Sequence, residues 1–225
     1  MAALYIVATP IGNLGDITLR ALETLRGVDV IACEDTRHSL RLFARYDIKK
    51  PLVSCHGHNE DAAARRIVGF LEGGKSAAYV SDAGTPALSD PGARLVRAVR
   101  EAGFPVIPLP GPSALSALVS VSGFGGKSLT FEGFLSPRAG RRRSRLKELL
   151  DRNEAFVLYE SVHRIIKLLE VLAELEPERV VLVGREMTKE FEEYTEGTAG
   201  EALRFFEREP PRGEFSVLVA ERKKS

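Results

Sequence analysis

Residues 76–103 read SAAYVSDAGTPALSDPGARLVRAVREAG. SAAYVSD is a short apolar run ending in polar residues, which reads as a buried strand. DPGARLVRAVREAG reads as a helix, with Pro91 suited to its first turn. Between them, Gly84, Pro86, Pro91 and Gly92 shape a loop that lets a backbone come close to a ligand. Its charges are Asp82 and Asp90, with no Lys or Arg before Arg94. A phosphate site wants the opposite sign. A strand feeding a helix through an acidic, ligand-sized loop is the unit from which the rest of the fold is read.

The unit recurs. LYIVAT (4–9) is a strand followed by TLRALETLRG, a helix opened by Thr18 and stopped by Gly27. VDVIAC (28–33) precedes the short helix HSLRLFARY, and PLVSC is a third strand. NEDAAARRIVGFLEGG has an Asn59 cap and places Ala63, Ile67, Phe70 and Leu71 on one face. FPVIPLP precedes the small-residue helix GPSALSALVSVSG. Strands separated by single helices imply parallel pairing through right-handed crossovers, hence an α/β sheet covered by helices. The glycine-rich SGFGGKS (122–128) marks a junction, giving domains over 1–120 and 121–225. Beyond it, SLTFEGFL, EAFVLYE, ERVVLVGRE and GEFSVLVAE read as strands. Helices are expected over 161–174, with Val162, Ile165, Ile166 and Leu169 inward, and near 199–208.

The 225 residues suffice for a real core, and no apolar run approaches the length of a membrane span. MAALYIVATPIG lacks the basic start of a signal peptide, and Cys33 and Cys55 make no disulfide framework. A cytoplasmic setting is expected. A net charge of +1 rules out a chain that binds nucleic acid by overall charge, but RAGRRRSRLK (138–147) holds six basic residues and no acid. It reads either as a solvated helix start or as a phosphate-binding stripe.

Ligands of open α/β sheets sit beyond the C-terminal strand ends. Here those ends carry TPIGN, EDTRH, CHGHN, SDAGTP and PGPS, polar and Gly/Pro-rich sequence that points to a site. The dinucleotide motif G-x-G-x-x-G is missing from TPIGNLG, and Pro10 removes a backbone donor where a pyrophosphate would sit. A ligand with a cationic centre, a ribose and an adenine fits better, and S-adenosylmethionine is such a molecule. Zinc is the competing reading, from Cys55, His56 and His58 with Cys33 and His38. The paired spacings of zinc sites are absent, and adjacent Cys55 and His56 point opposite ways on an extended chain, so no metal is expected. Cys55 is expected to be a buried thiol rather than a nucleophile.

On VATPIGNLGDITLRAL, IACEDTRHS, SDAGTPALSDPG, PLPGPSA, FEGFLSPRAGRRRSRL, LYESVHRI, GREMTKEFEEYTEGT and GEFSVLV, in order along nearly the whole chain, the sequence resembles the tetrapyrrole-methylase superfamily. Within it, the chain is similar to the bacterial enzymes that 2′-O-methylate a cytidine in the decoding region of 16S rRNA. The resemblance implies two α/β domains, a mainly parallel N-terminal sheet and a mixed C-terminal one, with S-adenosylmethionine in the cleft between them. It also implies a homodimer and, as substrate, 16S rRNA in the small ribosomal subunit. The cofactor contacts it carries over are Pro10 or Ile11, then Ala83, Gly84, Thr85 and Pro86, and Leu88. Further along they are Pro110, Gly111, Ser113 and Ala114, and the neighbourhood of Tyr159 and Glu160. Thr85 stands where the broader family has Asp, and Asp82 lies three residues earlier.

A ribose hydroxyl is a weak nucleophile that a base or charge stabiliser would help, and Glu34, Asp35, Arg37 and His38 in CEDTRH are candidates. Glu34 and Asp35 have capping and pairing with Arg37 as their alternative role. Glu186 and Glu190 form a second candidate set. Under the resemblance, Arg138, Arg141, Arg142, Arg143 and Arg145 would bind RNA phosphates. The alternatives are a methyltransferase on a tetrapyrrole or other small molecule, and a non-catalytic cofactor-binding ribosome assembly factor.

Overall fold

The computed structural model describes residues 2–124 and 126–222. By internal contacts the chain divides into two units, Met1–Ser113 and Ala114–Ser225. The glycine-rich stretch read as the junction follows that division, and its Gly125 lies outside the described residues.

In the first unit, β1 (Leu4–Val7), β2 (Val30–Cys33), β3 (Leu52–Ser54), β4 (Ala77–Val80) and β5 (Val106–Leu109) form one sheet in the order β3-β2-β4-β1-β5. Every pairing is parallel. VIAC of β2 and AAYV of β4 are buried at every residue, as central strands covered on both faces must be. Ile31 and Cys33 turn to the core under α1 (Leu19–Gly27) and α2 (Thr36–Arg45). Val30, Ala32 and Tyr79 turn to the opposite core, under α3 (Glu60–Glu72) and α4 (Ala93–Glu101). Thr18 caps α1 by accepting from Ala21 N at 3.1 Å.

Two local expectations are corrected. Asn59 does sit at the start of α3, but its side chain makes no cap; it accepts from His56 N at 2.8 Å and donates to Ser54 O at 3.1 Å. Pro91 precedes α4, whose cap position is Gly92 at φ +126°.

The second unit holds α5 (Ala114–Val121), β6 (Leu129–Phe134), α6 (Ala139–Asp151), β7 (Ala155–Ser161), α7 (Ile165–Leu175), β8 (Val180–Arg185), β9 (Glu193–Thr198), α8 (Ala199–Arg208) and β10 (Glu214–Val219). The sheet order is β6-β7-β10-β8-β9, parallel only between β6 and β7. One face is covered by α6, α7 and α8 through Leu146, Leu169, Leu172 and Phe206. The other receives α5 where Gly184 leaves room: a Cβ there would lie 2.9 Å from Leu118 Cδ1. The edge strand β9 was not expected, because EYTEGT shows no apolar alternation. No described helix is long and apolar enough to cross a membrane.

Candidate functional site

Parallel strands bring all five C-terminal ends of the first sheet to one edge. There the loop after β1 is clasped to the loop after β4. Thr9 N donates to Gly84 O and Gly84 N to Thr9 O, both at 2.9 Å, and Thr9 Oγ1 donates to Ser81 O at 3.3 Å. Gly84 has φ +72°, and a Cβ on it would touch Ile11 Cγ2 at 3.4 Å and lie 3.9 Å from Pro112 O. Thr85 Oγ1 donates to that same carbonyl at 3.5 Å. Buried Pro10 and Gly84, half-buried Ile11 and Thr85, and the turn before Ser113 therefore share one neighbourhood, with Asp82 and exposed Ala83 beside it.

Leu88 N donates to Thr85 O at 3.2 Å, while Ala87 and Ser89 take φ of 67° and 68°. Two non-glycine residues in the left-handed region within three positions are strained, and such strain persists where the surroundings over-determine it. One anchor is Glu60, only 6% exposed, whose Oε1 accepts from Gly92 N (3.0 Å), Arg94 N (2.7 Å) and Leu95 N (3.1 Å). It satisfies the first amides of α4 and fixes the far end of the loop. Sequence reading missed Glu60, because its partners lie 32–35 residues away.

The carboxylates of this edge differ in environment. Asp35 accepts from Arg37 N (2.8 Å) and from both ends of the Arg37 guanidinium (3.1 and 2.8 Å), which holds it down to about 2. Its part is the cap of α2 and the pair with Arg37, whose side chain is 89% exposed. Asp35 N donates to Asp82 Oδ1 at 3.0 Å, and Asp82 N to Glu34 Oε2 at 3.4 Å. Burial raises Glu34; the Asp82 amide opposes that shift and the Asp82 charge adds to it. Asp90, which sequence reading noted as a loop charge and did not place in the site, is raised to about 7 by burial and by the charges of Glu34 and Asp82, against a hydrogen bond from Ser81. Glu34, Asp35, Arg37 and Asp82 border a hollow of about 450 Å³ with Ser54 and His56.

Asp90 gives a pH prediction. Between its ordinary 3.8 and about 7, the folded chain keeps a proton that the unfolded chain has lost. Stability from this group is therefore present at low pH and declines as pH rises through that window. Asp90→Asn removes the decline, so the difference in melting midpoint, variant minus unaltered chain, should grow from pH 4.5 to 7.5. A difference that is flat across that range would contradict the assignment.

Cys33 and Cys55 are buried and pushed up to about 11 and about 12 by desolvation, so neither is a thiolate nucleophile near neutrality. Among the described residues, no group of three or more His, Cys, Asp or Glu is placed to hold a metal ion.

In the second unit, Ala114 opens α5, and the Tyr159 hydroxyl accepts from the next amide, Leu115 N, at 3.0 Å. The basic run divides. Arg142 is 5% exposed and donates to Pro137 O at 3.3 Å, and Arg145 is held by both oxygens of Glu132 (2.7 Å each) and by Glu148 (2.8 Å). These two guanidinium groups are engaged within the protein and brace the helix. Arg143 is exposed and paired with Glu174, while Arg138 and Arg141 are exposed with no ion pair among the described residues. Glu186 is lowered because Lys189 and the Glu214 amide, both donors to it, outweigh its partial burial; Glu190 is exposed. Lys189 also bridges to Glu214 at 2.9 Å, so the pair fastens the loop before β9.

Residues 3–203 match the family model of tetrapyrrole (corrin/porphyrin) methylases. The chain is 47% identical over 219 residues to "Ribosomal RNA small subunit methyltransferase I" of Borrelia garinii subsp. bavariensis, covering 96% of this chain and 98% of that protein. It is 46% identical over 220 residues to the protein of the same name from Thermotoga maritima, covering 98% and 99%. Among solved structures it is similar to cobalt precorrin-4 methyltransferase, a cobalamin biosynthetic enzyme, with TM-score 0.73 and 17% identity over 97% of this chain and 94% of that one. Uroporphyrin-III-C-methyltransferase from Thermus thermophilus gives TM-score 0.66 and 22% identity over 98% and 94%. At those identities the structures speak to fold alone.

Proposed function

The chain belongs to the tetrapyrrole (corrin/porphyrin) methylase family, and from that premise we propose that it transfers methyl from S-adenosylmethionine to small-subunit ribosomal RNA. In its finest form the reading is 2′-O-methylation of a cytidine in the decoding region of 16S rRNA. The observation that carries the coarser reading, methylation of small-subunit ribosomal RNA, is the similarity over almost the whole chain to proteins named ribosomal RNA small subunit methyltransferase I. The assembled small subunit as substrate, a homodimer and a cytoplasmic setting belong to the same proposal.

The first unit suits the donor chemically. The Gly84 backbone, Ala83, Thr85 and Ser113 offer small residues and main-chain groups, with Ile11 as an apolar wall. Asp82 and Glu34 supply negative potential, to which Asp90 adds only above about pH 7, and that potential is favourable to a sulfonium and hostile to a polyphosphate. When bound, S-adenosylmethionine supplies an electrophilic methyl. Holding the hydroxyl in line with such a group is worth about 7–11 kcal/mol in favourable intramolecular systems. We assign proton acceptance from the ribose hydroxyl to Glu34, whose raised pKa makes it a better base than Asp35. Arg37, on the exposed first turn of α2, is placed to meet an adjoining phosphate.

Labelled S-adenosylmethionine incubated with small subunits lacking the modification, followed by mapping of the label, tests the reading. Label on a cytidine 2′-oxygen supports it. Turnover on a tetrapyrrole alone, or donor binding without transfer, replaces it with the small-molecule enzyme or the assembly factor.

The divided basic run yields its own expectation. Arg138→Ala with Arg141→Ala should weaken RNA binding and lower the salt slope of log K by roughly 1–2, with donor affinity unchanged. Arg145→Ala should instead lower thermal stability, because it leaves Glu132 unpaired. Filter binding across a salt series separates the two classes. An unchanged slope for the double variant would remove both arginines from the RNA footprint.

A further inference from the structure

In a regular strand Phe131 and Phe134, three residues apart, would face opposite ways. The parallel pair β6–β7 is not regular. Its register shifts between Phe131 and Gly133, Gly133 takes φ +69°, and Phe134 comes opposite Tyr159. The bulge re-aims Phe134 so that both phenyl rings meet the Tyr159 ring edge-on, with centroids 4.9 and 5.8 Å away. Phe131 is partly buried; Phe134 is left 54% exposed.

An isolated exposed Phe needs no explanation. This one opens a braced turn. Arg164, paired with buried Glu160 at 2.8 Å, donates to Leu135 O at 3.4 Å, and Arg142 donates to Pro137 O. Arg138 and Arg141 follow at once, exposed and without ion pairs among the described residues. A rigid, half-bare aromatic ring followed within a few residues by two available guanidinium groups is the composition that holds an unpaired nucleotide: π-face for the base, cations for the phosphates.

We propose that Phe134 is a stacking platform for an unpaired base of the substrate RNA, with Arg138 and Arg141 on the neighbouring phosphates. The proposal rests on the RNA reading given above.

The chain has no Trp, so Phe134→Trp introduces a single indole, excited apart from the five tyrosines at the red edge of the band. Titration with a short single-stranded oligoribonucleotide of the decoding-region sequence should quench it. Phe191→Trp, on a ring 68% exposed in the loop before β9, should stay bright. Phe134→Ala should weaken binding of the oligoribonucleotide by roughly tenfold to a hundredfold, and Phe134→Tyr should restore it. Lack of binding by the unaltered chain to the oligoribonucleotide and to unmodified small subunits alike overturns the functional reading and this inference with it, whereas binding to subunits alone overturns only this inference. RNA binding with a bright F134W indole and unaltered F134A affinity overturns the inference alone. Quenching by S-adenosylmethionine without RNA gives the ring to the donor's adenine, and quenching that grows with protein concentration alone gives it to a second copy; either result also overturns it.

Discussion

An alanine at Gly92 is expected to lower the melting midpoint by roughly 6–12 °C, the shift that about 3 kcal/mol produces in a protein of this size. Two costs combine. Gly92 has φ +126°, where side chains other than glycine are strained, and its new Cβ would lie 2.6 Å from Tyr79 Cε1 and 3.2 Å from Cδ1. Tyr79 has no room to yield: it is fully buried, and its hydroxyl donates to Cys55 O at 3.4 Å. Moving Gly92 instead would pull its amide and those of Arg94 and Leu95 away from Glu60. Gly103 is the control, with φ +80° and nothing within 4 Å of its would-be Cβ. Gly103→Ala therefore carries backbone strain alone, about 1–2 kcal/mol. Calorimetric melting of the two variants checks the argument, and equal losses would show that the Tyr79 ring is not the obstacle. Because Gly92 closes the loop after β4, donor affinity should fall in Gly92→Ala and hold in Gly103→Ala.

The contrast shows what the sequence displays and what it conceals. Strands of the first unit announce themselves as apolar runs between turn residues, and alternation with helices implies their parallel pairing, as observed. Their order does not follow, since nothing local says that β4 lies between β2 and β1. The acidic glycine-rich loop is legible as a loop. Its anchor is not, because Glu60 looks like an ordinary first-turn acid of α3 until α4 is packed beside it. The run RAGRRRSRLK has the same limit. Charge alone does not separate Arg145, gripped by Glu132 from thirteen residues upstream, from Arg141, which is exposed and has no ion pair among the described residues. Gly133 in FEGF looks like a weak point in a strand, and only the paired register reveals that it turns Phe134 toward Tyr159. Local pattern reads periodicity; long-range partners decide which polar residues are brackets and which are tools.

That distinction governs the expected effect of Glu34→Gln, a fall in the methyl-transfer rate constant of about a hundredfold to ten-thousandfold, the range typical of a positioned proton acceptor. The substitution keeps size and an oxygen able to accept from the Asp82 amide, so fold and loop position should survive. What is lost is basicity, which burial raises at Glu34. Since a base works deprotonated, the rate of the unaltered enzyme should fall as pH drops through the Glu34 pKa, and Glu34→Gln should lack that limb. Asp35→Asn makes the comparison sharp. Asp35 is already committed to Arg37 and to the first turn of α2, and its low pKa makes it a poor acceptor. Its loss should reduce thermal stability slightly and leave the rate within a few-fold. Donor affinity measured by calorimetry separates chemistry from binding, because removing one negative charge from the Glu34, Asp82 and Asp90 group should weaken donor binding only a few-fold. A large rate loss in Asp35→Asn with little in Glu34→Gln would exchange their roles. Equal, small losses in both would place the proton acceptor outside the EDTRH segment.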